Sequence, residues 1–174
     1  MNQTSPKNIR ALAIAPSTRG FGFVVLHGKA TLVNWGVKSV KGDKNTESLT
    51  KVEKLLAHYQ PDVLVLQDTS AKQSRRSARI RILSKQIVTM AATRKLKAKL
   101  FAREKVMQQF FGDGKGTKHA LAEILAKRFP EDLASHLPPK RRPWMSEDSR
   151  MDIFDAVALV LVAHLNKPEK SQSK

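Results

Sequence analysis

The chain has 174 residues, 41% of them hydrophobic, with 32 Lys and Arg against 15 Asp and Glu. This length suits one domain with a packed core, and the net charge of +17 predicts a polyanionic partner, nucleic acid before an anionic membrane. The absence of cysteine excludes disulfides, thiolate zinc sites and thiol nucleophiles. No signal-peptide pattern or apolar run long enough to span a bilayer is visible, so we expect a soluble cytoplasmic protein.

The first ordered element is predicted to be a hairpin over Ile9–Leu26. Its first strand is apolar at almost every position, which indicates a strand covered on both faces in the middle of a sheet. Pro16 ends that strand, and Gly20 and Gly22 would let the returning backbone turn tightly. A third strand is predicted over Ala30–Val40.

A helix, a buried strand, a second helix and a last strand are predicted next. Apolar residues at helical spacing indicate an amphipathic helix over Thr46–Tyr59. Val63–Leu66 is short and wholly apolar, as in a buried strand. The second helix is predicted over Ser74–Thr93, and the last strand over Lys97–Phe101.

Three arginines, Arg75, Arg76 and Arg79, fall in the opening turns of the predicted second helix. The helix dipole disfavours cations at that end. A charge run of this kind is either a solvated face or a phosphate-contacting one. The dipole mismatch and the net charge of the chain favour phosphate contact.

A short helix is predicted over Ala102–Phe111, and Thr117 is a suitable N-cap for a longer helix with Ile124 among its inward residues. Lys115 and Lys118 lie in the glycine-containing turn between these helices. That turn is either a simple connection or a cradle for a phosphate at the helix start.

The segment Leu137–Trp144 is stiff and basic, and it includes Lys140, Arg141 and Arg142. We predict phosphate contact for the basic run. Trp144 has two interpretations: it plugs the core, which is the preferred one, or it stacks on a base of a nucleic-acid strand.

The final helix, predicted over Arg150–Leu165, is apolar nearly all round and must be buried on several sides. It carries Asp152 and Asp155 on one face. Ser149 and Asp152 are close to a capping box, which explains the first acid. A carboxylate deeper in a buried helix costs several kcal/mol unless it is paired or metal-bound. An acidic pair beside a sheet edge is typical of divalent-metal phosphodiester chemistry.

The order of these elements and four stretches of sequence resemble the RuvC Holliday-junction resolvases of the RNase H-like superfamily, over nearly the whole chain. The four stretches are Ala13–Gly22, Pro61–Gln67, Phe101–Lys118 and Asp152–Ala156. The resemblance implies an α/β fold, a five-stranded mixed sheet with helices on both faces, over residues 9–166. Residues 1–8 and 167–174 are then a flexible N-terminus and a disordered tail. A homodimer through the Ser74–Thr93 helix and binding of branched DNA are also implied.

Family-like catalysis implies four carboxylates around Mg²⁺ or Mn²⁺, two from strand ends and two from the last helix. Asp152 and Asp155 match the helix pair, as catalytic residues and metal ligands. Ala15 and Gln67 stand where the strand acids are expected. The resemblance therefore carries over the fold and the DNA surface, while the reaction is altered or lost.

Three acids are candidates to replace the missing pair. Asp68 follows Gln67, and a bulge at the strand end would turn it towards the site. Glu147 and Asp148 immediately precede the last helix and could also reach it.

Three functional hypotheses follow from different classes. The protein is a catalytically silent relative that binds branched or structured nucleic acid, or an active crossover-junction endonuclease that uses Asp68, Asp152 and Asp155. The third hypothesis is a phosphate-binding lobe of the sugar-kinase and actin type, which normally needs a second lobe and a longer chain.

Overall fold

The computed structural model of the protein describes residues 8–70 and 74–165. Within these ranges the strands are β1 (Arg10–Pro16), β2 (Gly20–His27), β3 (Thr31–Ser39), β4 (Val63–Gln67) and β5 (Lys97–Phe101). The helices are α1 (Lys44–Tyr59), α2 (Ala78–Thr93), α3 (Arg103–Phe110), α4 (Lys118–Arg128), α5 (Pro130–Leu133) and α6 (Met151–Leu165), with a 3₁₀ turn at Ala134–His136. The tail predicted over residues 167–174 and nearly all of the flexible segment predicted over residues 1–8 lie outside the described residues.

The five strands form one mixed sheet in the order β3-β2-β1-β4-β5. The first three strands are antiparallel neighbours, whereas β1–β4 and β4–β5 are parallel pairs. β1 is thus the central strand, and the prediction from its continuous apolar sequence is confirmed. The carboxyl ends of β1, β4 and β5 meet at one edge, the usual place for a ligand in an open α/β sheet.

The two faces of β1 differ in side-chain size. Leu12 and Ile14 pack with residues of α1 and α2 in one hydrophobic cluster. Ala11, Ala13 and Ala15 face the opposite cluster, which contains residues of α3, α4 and α6. Helices therefore cover both faces, as predicted, and the small alanine side chains leave room for α6 to pack on β1 and β2.

The start of α2 differs from the prediction. Ser77 has an extended backbone (φ −63°, ψ 157°), and its side chain accepts a hydrogen bond from the Ile80 amide, so Ser77 rather than Ser74 caps the helix. Arg75 and Arg76 precede the helix and lie outside its opening turn. Of these three arginines, the unfavourable helix dipole consequently acts on Arg79 alone.

The structure of α4 confirms one prediction and corrects another. The Thr117 hydroxyl accepts a hydrogen bond of 3.0 Å from the Ala120 amide, as expected of an N-cap. Ile124 was predicted to face inward, but it is 36% exposed. The buried positions of this helix form an arc through Leu121, Ala122 and Leu125, and Ile124 falls outside that arc at 100° per residue.

None of the helices in residues 8–70 and 74–165 is both long enough and apolar enough to cross a membrane.

Candidate functional site

Two uncharged side chains, Ala15 at the end of β1 and Gln67 at the end of β4, lie at the same edge of the sheet. The strands are parallel neighbours with Ala13 opposite Val65, so their carboxyl ends coincide. Ala15 and Gln67 line a small cavity of about 30 Å³ that Asp155 also lines. The structure thus brings together three positions that the sequence resemblance singled out.

Asp155 is paired with a cation. Lys118 is the first residue of α4, and its Nζ lies 3.1 Å from Oδ2 of Asp155 and 2.7 Å from Oε1 of Glu147. Burial of the Lys118 ammonium lowers its pKa, but the Asp155 and Glu147 carboxylates outweigh burial and the pKa is raised overall. Lys118 therefore stays charged and offsets much of the negative charge that the acids supply.

Asp152 is the more deeply buried acid of α6, at 7% exposure. It lines a cavity of about 100 Å³ together with Ser17, Lys118 and Asp155. Burial raises the pKa of Asp152 to about 6, against a smaller opposing effect of the Ser17 hydroxyl, and the Asp155 charge raises it further. A carboxyl in this environment is easily protonated near neutral pH.

The sequence predicts a costly buried carboxylate at Asp155 and a capping role for Asp152. The Asp152 amide does donate to the Ser149 carbonyl, at 3.1 Å. However, the burial of the Asp152 side chain goes beyond what a helix start requires, whereas Asp155 has an ion pair. The ion pair of Asp155 therefore meets the expectation that a carboxylate inside this helix is paired, while Asp152 is more deeply buried than a capping role predicts.

Asp68 lies just beyond β4, where its amide donates to the Phe101 carbonyl at 2.8 Å. Its Oδ1 accepts hydrogen bonds from the amide and the hydroxyl of Ser70, at 2.9 and 2.6 Å. Asp68 lines a large cleft of about 500 Å³ with Gln67 and Lys118. The cavities that Asp152 and Asp155 line are different ones.

The other two candidate replacements behave differently from one another. Glu147 reaches the site through its bond to Lys118. Asp148 instead binds Arg150 through the backbone amide and two side-chain nitrogens, at 2.7 to 3.0 Å. The Arg150 guanidinium hydrogen bonds hold the pKa of Asp148 down at about 2. Asp148 therefore stabilises the chain segment before α6 through its hydrogen bonds with Arg150.

The donor set does not fit the divalent ion that the resemblance implies. Among residues 8–70 and 74–165, no group of three or more Asp, Glu or His side chains is placed to hold a metal ion. The set Asp68, Asp152 and Asp155 is consequently not assembled as ligands. Asp155 already binds an ammonium, and the strand ends offer a methyl group and a neutral amide, which do not supply the charge that Mg²⁺ or Mn²⁺ needs.

The three predicted phosphate-binding arginines lie in different environments. Arg75 is exposed and lines the 500 Å³ cleft. Arg76 Nη2 donates to the Pro16 carbonyl at 2.9 Å. Arg79 Nη2 donates to the Ser17 carbonyl at 2.9 Å while Nη1 bonds an Asn45 side chain. Arg79 and Arg76 therefore both stabilise the β1–β2 turn through hydrogen bonds to its carbonyl groups. Arg76 also lines the 500, 30 and 100 Å³ cavities.

The outer basic residues are accessible. Lys115, Lys140, Arg141 and Arg142 are exposed. Trp144 is 76% exposed, so the core-plug interpretation is wrong, since the turn from Arg142 to Met145 carries the indole away from the protein. The Arg142 guanidinium lies 5.6 Å from the centre of the Trp144 ring. An exposed aromatic ring beside arginine is suited to stacking on an unpaired base.

Two site residues, Ser17 and Arg103, were not picked out by sequence reasoning. Arg103 begins α3 directly after β5 and lines the 500 Å³ cleft. Its position at the carboxyl end of a parallel strand is a signal that could have identified it. Ser17 sits in the β1–β2 turn, where a polar residue is common and carries no such signal.

No family model and no curated protein matches this chain, whereas solved structures do. The Thermus thermophilus RuvC structure is 16% identical, with 88% of this chain and 92% of that chain covered and a TM-score of 0.63. T. thermophilus RuvC in complex with a Holliday junction substrate gives the same identity and coverage with a TM-score of 0.64. The yeast mitochondrial Holliday junction resolvase Ydc2 is 11% identical, with 91% and 79% covered and a TM-score of 0.61.

The fold is that of the RuvC resolvases. The predicted RuvC-like, RNase H-like α/β architecture is confirmed, since the likeness spans 92% of the Thermus chain. Coverage of a resolvase chain from nearly end to end also favours this architecture over that of a sugar-kinase lobe. At 16% identity the comparison concerns architecture, and function has to be argued from the site.

Proposed function

We propose that this protein binds branched DNA through a basic surface around the carboxyl ends of β1, β4 and β5, and that it does so without efficient cleavage. The observation that carries the proposal is the 500 Å³ cleft at this edge, which Arg75, Arg76, Arg103 and Lys118 line. Three further exposed basic residues, Lys140, Arg141 and Arg142, precede Trp144 in the chain. Such a distribution of cations supplies the electrostatic part of DNA binding.

Branched DNA is favoured over plain duplex by the fold and by Trp144. A structural neighbour, T. thermophilus RuvC, has been solved in complex with a Holliday junction substrate. Unpaired or unstacked bases occur at branch points, and an aromatic ring 76% exposed beside a guanidinium is suited to stack on them. Both observations support a junction-like ligand.

The absence of efficient cleavage rests on the acids. A two-ion phosphodiester mechanism needs enough carboxylates to hold both ions against the phosphate. The strand ends here offer Ala15 and Gln67, and Asp155 is engaged by Lys118. Loss of cleavage is therefore the expected result of this side-chain set.

The deciding experiment uses labelled four-way junction, duplex and single-stranded DNA, in EDTA and in Mg²⁺ or Mn²⁺, and scores both gel shift and cleavage. We expect the junction to be shifted most strongly and left intact under all conditions. A lack of shift with every DNA at low salt would overturn the binding proposal. Efficient cutting that is abolished by Asp68→Asn would instead establish the active-endonuclease alternative with Asp68, Asp152 and Asp155.

We further propose a cytoplasmic homodimer. Ile82 is 53% exposed on α2, the helix through which the RuvC resemblance implies dimerisation. An exposed branched apolar side chain on a helix face is suited to pairing with a second copy. A solution mass of one chain at micromolar protein would contradict the dimer. Ile82→Glu should convert a dimer to monomer, while Gln109→Glu, at an exposed position of α3 on the other side of the sheet, should not.

A further inference from the structure

The 500 Å³ cleft at the carboxyl end of β4 is lined by more cationic than anionic side chains. The cleft is lined by four cations, Arg75, Arg76, Arg103 and Lys118, and by two acids, Asp68 and Glu104. The Asp68 carboxylate already accepts two hydrogen bonds from Ser70. Lys118 also pairs with Glu147 and Asp155, which do not line this cleft. The groups that do line it carry a net positive charge and attract an anion.

Lys118 is held in place by two carboxylates and still has an unused hydrogen-bond donor. An ammonium has three N–H donors, and the contacts to Glu147 at 2.7 Å and Asp155 at 3.1 Å engage two of them. The side chain keeps 32% exposure. A third donor therefore remains for an anionic oxygen, and the two carboxylates fix where the charge stands.

Arg76 supplies a second fixed charge. Its Nη2 is anchored on the Pro16 carbonyl at 2.9 Å, and its Nε is buried without a hydrogen-bond partner. Arg76 also borders the small cavity lined by Ala15 and Gln67. The buried Nε is out of reach of a ligand, so a phosphate contact would use the terminal Nη groups, and a guanidinium can donate two parallel hydrogen bonds to a phosphate.

A divalent ion would compete with these two cations for the same place. It would have to share the Asp155 and Glu147 carboxylates with the Lys118 ammonium, and both Lys118 and Arg76 would repel it. A phosphate experiences the opposite effect, because the fixed cations attract it. The charges that oppose a metal thus favour an anion.

We propose that the 500 Å³ cleft binds a phosphate of the DNA backbone without a divalent ion. The Lys118 ammonium and the Arg76 guanidinium supply the positive charge. The inference rests on the proposed function, since it names the part of the DNA that the cleft takes.

The first test uses metal ions alone, so it does not depend on DNA. Mn²⁺ is titrated into the wild-type protein, Lys118→Met, the control Lys127→Met, and the triple variant Ala15→Asp/Gln67→Glu/Lys118→Met, by calorimetry and by thermal unfolding. Lys127 is exposed near the other end of α4. We expect no saturable binding to wild type or control. Removal of Lys118 should raise Mn²⁺ affinity by about tenfold or more, because a fixed cation no longer repels the ion, and the triple variant should bind best.

The second test measures affinity for labelled four-way junction in EDTA and in Mg²⁺. Wild type should bind equally in both. Lys118→Met should weaken binding in EDTA by about tenfold or more, the loss expected for a charge-assisted contact, while Lys127→Met changes it little. Arg76→Lys, which keeps the charge but loses the paired donors, should weaken binding less than Lys118→Met.

The outcomes separate the two proposals. If wild type binds no DNA, the proposed function fails, and the metal-free phosphate pocket fails with it. If wild type binds DNA but requires Mg²⁺, or if it binds Mn²⁺ as tightly as Lys118→Met does, the inference is overturned and the proposed function stands. Equal affinities of Lys118→Met and Lys127→Met for the junction in EDTA would also overturn it.

Discussion

Gly22 on β2 lies directly against Asp152 at the start of α6. A Cβ at residue 22 would overlap the Asp152 carbonyl and stand 2.6 Å from the Asp152 Cβ. The missing side chain at one residue thus sets the position of the other. Gly22 was predicted to allow a tight turn, whereas in the structure it lets α6 approach β2.

Gly22→Ala should destabilise the protein by about 1–3 kcal/mol, the usual cost of overpacking a close contact. The measurement is the free energy of unfolding in urea. Gly112→Ala is the matched control, since a Cβ at Gly112 would meet nothing within 4 Å and its φ is not positive. Equal stabilities of the two variants would contradict the packing role of Gly22.

The raised pKa of Asp152, about 6 against an ordinary 3.8, makes stability depend on pH. Between about pH 4 and 6 the native Asp152 still holds a proton that the unfolded chain has released, so its contribution to stability is present at low pH and is lost as pH rises through 6. The loss is up to about 3 kcal/mol for a shift of this size. Asp152→Asn should therefore be more stable than wild type at pH 7.

The measurement compares urea unfolding of wild type and Asp152→Asn at pH 4, 5, 6 and 7. The difference between the two proteins should grow over this range and then level off. Glu131→Gln, a change of an exposed acid, should track wild type at every pH. An Asp152→Asn protein less stable than wild type at pH 7 would show that the Asp152 charge is compensated.

DNA affinity should fall steeply with salt. If about six phosphates are neutralised, log K falls with log salt at a slope near −5. Lys140→Glu with Arg141→Glu should weaken binding of all sequences alike and make the slope shallower by about 2. Lys54→Glu with Lys127→Glu makes the same change in net charge at exposed sites on α1 and α4 and should have less effect; equal effects would mean that only net charge matters.

Arg79 is a poor choice for such a charge reversal. Its guanidinium holds the Ser17 carbonyl and the Asn45 side chain, so a glutamate there would release the β1–β2 turn as well as remove a charge. Arg75 is exposed and can be reversed alone.

Trp144→Ala should leave the free energy of unfolding unchanged, because the side chain is 76% exposed, and should weaken junction binding by about 1–3 kcal/mol through lost stacking. Trp144→Phe should recover most of the affinity. The measurements are urea unfolding and a fluorescence titration with junction DNA, in which the indole should be quenched. Unchanged affinity of Trp144→Ala would exclude base stacking.

The architecture was predictable because it depends on patterns that burial imposes locally. The continuous apolar sequence of β1 placed it in the centre of the sheet, and the all-round apolar sequence of α6 required burial on several sides. Thr117 was recognisable as a cap from its type and place. These signals need no knowledge of distant contacts.

The site was only partly predictable because its chemistry depends on contacts between distant segments. Lys118 and Glu147 are 29 positions apart in the chain, and the local sequence around either residue does not indicate that they pair. The anchoring of Arg76 on Pro16 spans 60 positions. The burial of Asp152 likewise depends on its contact with Gly22. The exposure of Trp144 depends on the path of an irregular loop.

The cavity that Ala15 lines determines how difficult it would be to introduce an acid at residue 15. It holds about 30 Å³, room for about one water molecule, and α6 packs over it. An aspartate introduced alone at residue 15 would have to share this space with Asp155 and leave Lys118 in place. An acid introduced at residue 15 thus meets a penalty that substitution of Lys118 would relieve, so one substitution alone is not expected to produce a four-carboxylate site.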